Sequence, residues 1–339
     1  MRMRSWDLER FVMRLDGETL GLDADTVAQR LLGSVLREIH FHARCRYWQF
    51  TPTYTSAFMD RLAMWLSNGG LSTDDQRTML QSVLHLQFVD RDDLMALYRA
   101  AFVGPIHRWL IDQLGLTFET NVEDFDRALN ASVSETWFCS VTDSMDIAQF
   151  CHVNHIVGAD YRPPWRVLSR FGDARKICSY LEKENLKRVV ILEDFVGSGT
   201  QSCGPVYHAA KLLGSTVPVL FTPLIASQVG VDAVTAKRSE YPDLSFEPVF
   251  TLPLAVQLRE QPSEVEPLLF TKLRETVGRT FALVRQAGPL ESEPLEHPFG
   301  FMNVGALLVL YTNCPNNTIP LFWHLAPEWA PLFPRISRS

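Results

Sequence analysis

The feature that most constrains the fold is an alternation of apolar runs and amphipathic segments over residues 135–252. The apolar runs have the length of strands, and the segments between them repeat apolar residues at helical spacing. Alternating strands and helices form crossover units, which build a mostly parallel sheet covered on both faces. We therefore predict an α/β fold with a doubly wound sheet. The predicted strands are 137–141, 188–196, 217–226 and 244–252, and the predicted helices are 145–156, 171–185, 204–213 and 229–241.

The residues before this alternation have the pattern of helices. Segment 23–44 begins with acidic residues and ends with basic ones, which suits a helix dipole, and segment 72–89 begins with an N-cap sequence. Further helices are predicted at 56–66 and 91–114, the latter interrupted near Gly104 and Pro105. We predict two domains: a helical module at 1–130 that binds a partner or acts as an adaptor, and an α/β domain at 131–339. The second domain has a C-terminal extension with a helix at 263–287, a strand at 306–311 and an ordered tail rich in Pro and Trp.

Composition excludes several classes of protein. The 339 residues are 46% apolar and carry a net charge of −7, which argues against a broadly basic nucleic-acid binder. The longest apolar runs, such as 217–226, are far shorter than the roughly 20 residues of a membrane helix. The six cysteines and the histidines lack metal-ligand spacing, so no protein metal site is predicted. We expect a cytoplasmic protein with reduced thiols and no contact with a membrane.

The stretch VVILEDFVGSGTQ, residues 189–201, combines a strand, two acids and a glycine loop. Glu193 and Asp194 come near the carboxyl end of the predicted strand, where parallel sheets bind ligands. The loop that follows leads into a helix, so its backbone N–H groups and the helix dipole favour an anion. Its residues are Gly197, Ser198, Gly199, Thr200 and Gln201. The loop suits a phosphate, and the neighbouring carboxylates suit sugar hydroxyls or a magnesium ion. This combination predicts a site for a ribose 5-phosphate unit.

This stretch resembles the motif of the type I phosphoribosyltransferases. The family pattern is four apolar residues, two acids, two apolar residues, any residue, a hydroxyl residue, Gly, any residue and a second hydroxyl residue. Only Gln201 departs from it, and Ser202 follows at once. The resemblance covers roughly residues 135–252. It implies that the catalytic residues Glu193 and Asp194 hold the 2′ and 3′ hydroxyls of phosphoribosyl pyrophosphate, that the loop 197–201 binds the 5′-phosphate, and that Mg²⁺ neutralises the departing pyrophosphate.

Two other interpretations of the stretch stay open. Glu193 and Asp194 could be salt-bridged surface acids beside a tight turn, or the loop could belong to a different kind of phosphate site. A P-loop is excluded because no Gly-Lys followed by Ser or Thr is present.

A second loop, residues 142–146, follows the first predicted strand. In the family the loop at this position binds pyrophosphate, usually through contacts that include Arg or Lys. Here the loop contains two acidic residues and no basic residue. Asp143 and Ser144 are candidate substrate contacts, but the loop equally suits a helix N-cap. Basic groups could come instead from three arginines that precede the acidic strand, or these could be solvated. They are Arg162, Arg166 and Arg170.

The tail offers one more candidate substrate contact, Asn317. Together with Asn313 and Asn316 it follows the last predicted strand, where amides could bind a base edge or brace a turn. The phrase TNCPNNTIPLFW and the glycine loop also resemble a set of bacterial phosphoribosyltransferase-like proteins found in conflict and anti-phage loci, including retron systems.

Three hypotheses for function follow. The first is an enzyme that transfers or cleaves at ribose C1. The second is a sensor that binds phosphoribosyl pyrophosphate or a nucleotide without turnover. The third is a scaffold whose helical front binds protein or nucleic acid, with the α/β domain as a controlled effector. These hypotheses combine, since a helical adaptor on an effector suits an anti-phage defence protein. The expected partners are a small phosphoribosyl or nucleotide ligand, a protein or second copy of the chain, and nucleic acid only through a complex.

Overall fold

The computed structural model describes residue 8 and residues 27–52, 57–158, 162–165, 174–286 and 295–336. The chain divides into two compact units. The first consists of Met1–Arg91 and Pro253–Ser339, and the second is Asp92–Leu252. This division differs from the predicted domains 1–130 and 131–339, because the front and the tail of the chain fold together.

The elements of the described residues alternate as the sequence predicts between residues 135 and 252. The helices are α1 (Val27–Cys45), α2 (Phe58–Leu66), α3 (Thr73–Ser82), α4 (Arg91–Ala101), α5 (His107–Leu114), α6 (Val122–Ser134), α7 (Ile147–Val153), α8 (Ala174–Lys183), α9 (Thr200–Leu213), α10 (Gln228–Thr235), α11 (Leu269–Gln286) and α12 (Pro320–Trp323). The strands are β1 (Gln87–Val89), β2 (Thr136–Ser140), β3 (Arg188–Val196), β4 (Val219–Ala226), β5 (Leu244–Phe246), β6 (Phe250–Thr251) and β7 (Leu308–Leu310).

The second unit is built on a parallel sheet with the order β2-β3-β4-β5, and β6 also pairs with β4. Thr136 pairs with Arg188 and Val189 pairs with Val219, so the carboxyl ends of β2, β3 and β4 lie at one edge. The predicted strand 244–252 is divided into β5 and β6. Pro248 lies between the two pieces and has no N–H to donate to a ladder.

Helices cover both faces of this sheet. On one face, Trp137 and Ile191 share a core with Ile177 of α8 and Val206 of α9. On the other face, the ring of Phe138 lies 5.8 Å from that of Phe150 in α7, and Phe150 contacts Tyr98 of α4 at 5.9 Å. The predicted α/β fold with helices on both faces is confirmed. Since α4 packs on Phe150 of this unit, the predicted boundary near residue 130 does not separate helices from sheet.

The first unit joins the front of the chain to its tail. β1 pairs in parallel with β7, Gln87 opposite Leu308. The end of the predicted helix 72–89 is therefore wrong, since its last residues form a strand. Asp75 of α3 forms an ion pair with Arg279 of α11 at 2.7 Å, and Trp65 donates to the Leu321 carbonyl at 2.8 Å.

Two further features concern the helices. The predicted interruption near Pro105 is a π-helical turn, Phe102–Ile106, between α4 and α5. Within the residues that the structure describes, no helix combines the length and apolar character that a bilayer crossing requires.

Candidate functional site

The acidic pair lies near the carboxyl end of β3, as predicted. Glu193 is 3% exposed and Asp194 is 8% exposed. They are buried groups rather than exposed surface acids, so the first of the alternative interpretations does not fit. Because β2 and β3 are parallel, the loop that follows β2 lies beside this end of β3 and contacts both acids.

Glu193 is bonded to this loop through both of its carboxyl oxygens. The Thr142 hydroxyl lies 2.5 Å from Oε1, and the Thr142 backbone N–H donates to Oε2 at 3.0 Å. The Ser144 hydroxyl lies 3.0 Å from Oε1. Residues 142–146 are therefore connected to the first of the two acids by three contacts.

Asp194 shares one of these hydroxyls. Its Oδ1 accepts from the Ser144 hydroxyl at 2.8 Å and from the backbone N–H of Phe195 at 2.7 Å. The Ser144 hydroxyl also lies 2.7 Å from the Thr142 hydroxyl. Two hydroxyls and two carboxyl groups thus form one connected cluster.

The environment shifts the proton affinity of Glu193. Burial, followed by the neighbouring charge of Asp194, raises the pKa of Glu193 to about 8. Hydrogen bonds from Thr142 and Ser144 act in the opposite direction but are weaker causes. Both causes favour the protonated form of the Glu193 carboxyl group.

The glycine loop begins directly after β3 and leads into α9, which starts at Thr200, four residues before the predicted start. Gly199 has φ +78° and occupies the N-cap position of α9. The hydroxyls of Ser198 and Thr200 are 3.0 Å apart. Among the described residues, the backbone N–H groups of Ser198, Gly199 and Gln201 have no hydrogen-bond acceptor. The loop thus presents donors at the N-terminus of a 14-residue helix, which is the arrangement that binds anions.

The first turn of α10 holds the back of this loop. The Ser227 hydroxyl donates to the Gly197 carbonyl at 2.6 Å and accepts from the Gly230 N–H at 3.1 Å. A Cβ on Gly230 would lie 2.6 Å from the Val196 carbonyl oxygen. Only glycine at this position allows α10 to approach the loop so closely.

The roles of Asp143 and Asn317 as substrate contacts stay predictions. Asp143 is exposed on the loop beside Ser144. Asn317 belongs to the first unit, where its side-chain amide donates to the Phe301 carbonyl at 3.0 Å. This contact braces a turn, and a role for Asn317 toward a substrate stays a prediction.

The three arginines give no basic group at the acidic pair among the described residues. Arg162 donates to the carbonyls of Ser134 and Thr136. Thr136 starts β2, and its partner Arg188 precedes Glu193 by five residues, which is about 16 Å along a strand. Arg166 and Arg170 lie outside the described residues.

Three residues of the site were not predicted from the sequence: Thr142, Ser227 and Gly230. Ser227 directly follows the predicted strand 217–226 and precedes a helix, so its capping role had a visible signal. The sequence gives no such signal for Thr142, because its contact with Glu193 depends on how β2 and β3 pair. In that pairing Thr136 lies opposite Arg188, which is 52 residues further along the chain.

Among the described residues, the side chains do not form a magnesium site of their own. Within the described ranges, no group of three His, Cys, Asp or Glu side chains is placed to hold a metal ion. Both carboxyl oxygens of Glu193 are already in contact with Thr142 and its pKa is raised, so it is a poor ligand for a hard cation.

Comparison with family models identifies a match over most of the chain. The family model described as PRTase-CE matches residues 62–335. This range is longer than the resemblance to type I phosphoribosyltransferases over 135–252, and it includes most of the described first unit. No curated protein and no solved structure matches the chain.

Proposed function

Since the chain belongs to the PRTase-CE family, which is phosphoribosyltransferase-like, we propose that it binds the 5-phosphoribosyl group of phosphoribosyl pyrophosphate or of a nucleotide. The observation that carries this proposal is the β3–α9 connection. It places two buried carboxyl groups and a loop of N–H donors within nine residues of one another, from Glu193 to Gln201.

The glycine loop supplies the phosphate contacts of the proposal. The N–H groups of Ser198, Gly199 and Gln201 are donors without acceptors in the described part of the chain. The start of α9 adds its dipole, and the hydroxyls of Ser198 and Thr200 add two more donors. A 5′-phosphate bound here would complete the hydrogen bonding of the loop.

The end of β3 that carries the acidic pair supplies the sugar contacts. Hydroxyl groups of Thr142 and Ser144 already lie within hydrogen-bond distance of these acids, which supports their ability to accept hydroxyl donors. A carboxylate beside the ribose also stabilises positive charge that develops at C1 when the glycosidic bond breaks. This favours transfer or cleavage at C1, with no covalent nucleophile required.

The Mg²⁺ expected from the family resemblance enters only as part of the proposal. Since the described side chains do not fit a protein-held magnesium site, we propose that the ion is held by phosphate oxygens of the ligand. No step above depends on it.

Calorimetric titration with ribose 5-phosphate tests the binding proposal. We expect saturable binding by the wild type, with ribose and glycerol 3-phosphate binding at least about tenfold more weakly because each lacks half of the contacts. Equal affinities for the three compounds, or no binding of ribose 5-phosphate, would reject the proposal. Release of pyrophosphate or of a free base from candidate substrates, lost in Asp194→Asn, tests catalysis.

A second candidate function is a sensor that binds the same ligand without turnover. The loop 142–146 favours it, because Asp143 and Asp146 are exposed where family members usually place basic help for pyrophosphate. Saturable binding of phosphoribosyl pyrophosphate without pyrophosphate release would support the sensor over the enzyme.

The wider biological role extends the proposal. The resemblance to proteins of retron and other anti-phage loci suggests an effector that works with a protein partner or a second copy of the chain. Phage plating on cells that carry the complete locus tests this role. We expect protection with the wild type and loss of protection with Asp194→Asn at equal protein level, and equal protection by both would reject a role for the site in defence.

A further inference from the structure

We propose that the two neighbouring acids have different roles: Glu193 is a neutral positioning residue that holds the 142–146 loop, and Asp194 carries the negative charge presented to the sugar. The inference rests on the proposed function for its ligand, and it departs from the expectation that both acids hold sugar hydroxyls as equals.

The contacts of Glu193 point to a role in holding the loop. Its Oε1 lies 2.5 Å from the Thr142 hydroxyl and 3.0 Å from the Ser144 hydroxyl, and its Oε2 accepts the Thr142 N–H at 3.0 Å. A carboxyl group has about four lone-pair positions, so most of its capacity is used by one loop. A sugar diol has two hydroxyl groups, fewer than the three contacts that Glu193 makes with the loop. It could bind Glu193 only by displacing some of those contacts.

Counting hydrogens in the cluster gives the location of the charge. Four oxygen–oxygen contacts connect Thr142, Ser144, Glu193 and Asp194, at 2.5, 2.7, 2.8 and 3.0 Å. With both acids ionised, only the two hydroxyl hydrogens are available for these four contacts. The shortest contacts would then include oxygens with no hydrogen between them, which is repulsive.

One additional proton on Glu193 resolves the shortage. Glu193 Oε1 then donates to the Thr142 hydroxyl, Thr142 donates to the Ser144 hydroxyl, and Ser144 donates to ionised Asp194. Each of the three shortest contacts receives one hydrogen, and the contact left without one is the longest, at 3.0 Å. The chain of donors runs in one direction and ends on Asp194.

The electrostatic surroundings agree with this arrangement. Burial and the charge of Asp194 raise the pKa of Glu193 to about 8. The donor chain in turn stabilises the charge of Asp194, because a hydrogen bond to an ionised carboxylate is stronger than one to a neutral acceptor. The two hydroxyl groups of the loop therefore favour a protonated Glu193 and an ionised Asp194.

A matched pair of isosteric substitutions tests the division of roles. In Glu193→Gln the amide N–H can donate to Thr142 and the carbonyl can accept the Thr142 N–H, so we expect affinity for ribose 5-phosphate within about threefold of the wild type. Asp194→Asn removes the proposed charge, and we expect affinity to fall at least about tenfold. Glu193→Ala, which removes the contacts to the loop, should also weaken binding, and Glu193→Gln is then the conservative rescue.

Infrared spectroscopy provides a readout that needs no ligand. At about pD 6.5 we expect the wild type to show the carbonyl band of a protonated carboxylic acid, and Glu193→Gln to lack it. Absence of this band in the wild type, or a loss of affinity in Glu193→Gln as large as in Asp194→Asn, would overturn the inference. If the wild type fails to bind ribose 5-phosphate, the proposed function fails, while the infrared band still decides the protonation state of Glu193.

Discussion

The carbonyl oxygen of Gly197 lies so close to Gly230 that a Cβ on Gly230 would approach it to 2.7 Å. The same Cβ would lie 2.6 Å from the carbonyl oxygen of Val196. Both neighbours are backbone atoms of the segment that ends β3 and starts the glycine loop, so neither can rotate away as a side chain would. The shape of the proposed phosphate site therefore depends on a helix that follows the next strand of the sheet.

Gly230→Ala should displace the glycine loop. We expect the affinity for ribose 5-phosphate to fall at least about tenfold, since the loop donors move relative to the acids. Gly278→Ala is the control, because Gly278 lies within α11 and a Cβ there meets nothing within 4 Å. It should bind normally and gain up to about 1 kcal/mol of stability from helix propensity. Equal binding by the two variants would contradict this role for Gly230.

Ser227→Ala should lower the free energy of unfolding by about 2 kcal/mol, measured by urea denaturation. The Ser227 hydroxyl is buried and caps α10, and its loss leaves the Gly197 carbonyl without this donor. Thr235→Ala removes another hydroxyl from the same helix, one that is exposed and bonds the Val231 carbonyl. We expect that variant to stay within about 0.5 kcal/mol of the wild type. Similar losses in both variants would argue against Ser227 as the link between α10 and the loop.

The stability of the protein should depend on pH through Glu193. Its pKa in the folded state is about 8, above the ordinary value of 4.5, so the folded protein binds more protons between these values. Stability contributed by the protonated group is complete below about pH 4.5 and is lost as pH rises through about 8, by up to about 1.4 kcal/mol per pH unit. The acids that accompany it are Asp194 on the same strand and Asp143 and Asp146 on the adjoining loop.

The measurement is the unfolding midpoint in urea from about pH 5 to pH 8.5, for the wild type and Glu193→Gln. The variant cannot ionise at this position, so the stability difference should move in its favour as pH rises. A difference that stays constant over this range would contradict the raised pKa. The other ionisable groups are present in both proteins, so their contributions cancel in the difference.

Substitution of Gly305 should strongly lower the stability of the first unit. This residue has φ +67°, and a Cβ on it would lie 2.0 Å from the Leu258 carbonyl oxygen. Gly305→Ala should therefore cost more than about 3 kcal/mol, from the left-handed backbone and the steric clash. Gly69→Ala is the matched control in the same unit, since a Cβ at Gly69 meets nothing within 4 Å. Thermal unfolding of the two variants checks this, and equal midpoints would show that the close approach does not matter.

Local patterns predicted the sheet of the second unit well. The strand Arg188–Val196 has the predicted ends because a continuous apolar run is followed by a glycine loop, and both signals are local. The pairing of Gln87 with Leu308 could not be predicted in this way. Each of these strands has three residues, too few for a periodic pattern, and their contact joins residues more than two hundred positions apart.

The candidate site shows the same limit. The positions of Glu193 and Asp194 near the end of a parallel strand follow from sequence, because carboxylates after an apolar run are visible in one segment. Their different surroundings do not. The contacts of Thr142 and Ser144 depend on the register of β2 against β3, and the contact of Gly230 depends on the packing of α10. These are tertiary relationships that no single segment encodes.

The central claim is that one ligand engages the glycine loop with its phosphate and the acidic edge of β3 with its sugar. A crystal structure of the protein grown with ribose 5-phosphate tests it most directly. We predict phosphate oxygens within hydrogen-bond distance of the N–H groups of Ser198, Gly199 and Gln201, with a sugar hydroxyl at Asp194. A phosphate bound elsewhere on the protein, with this loop making no contact to it, would contradict the claim.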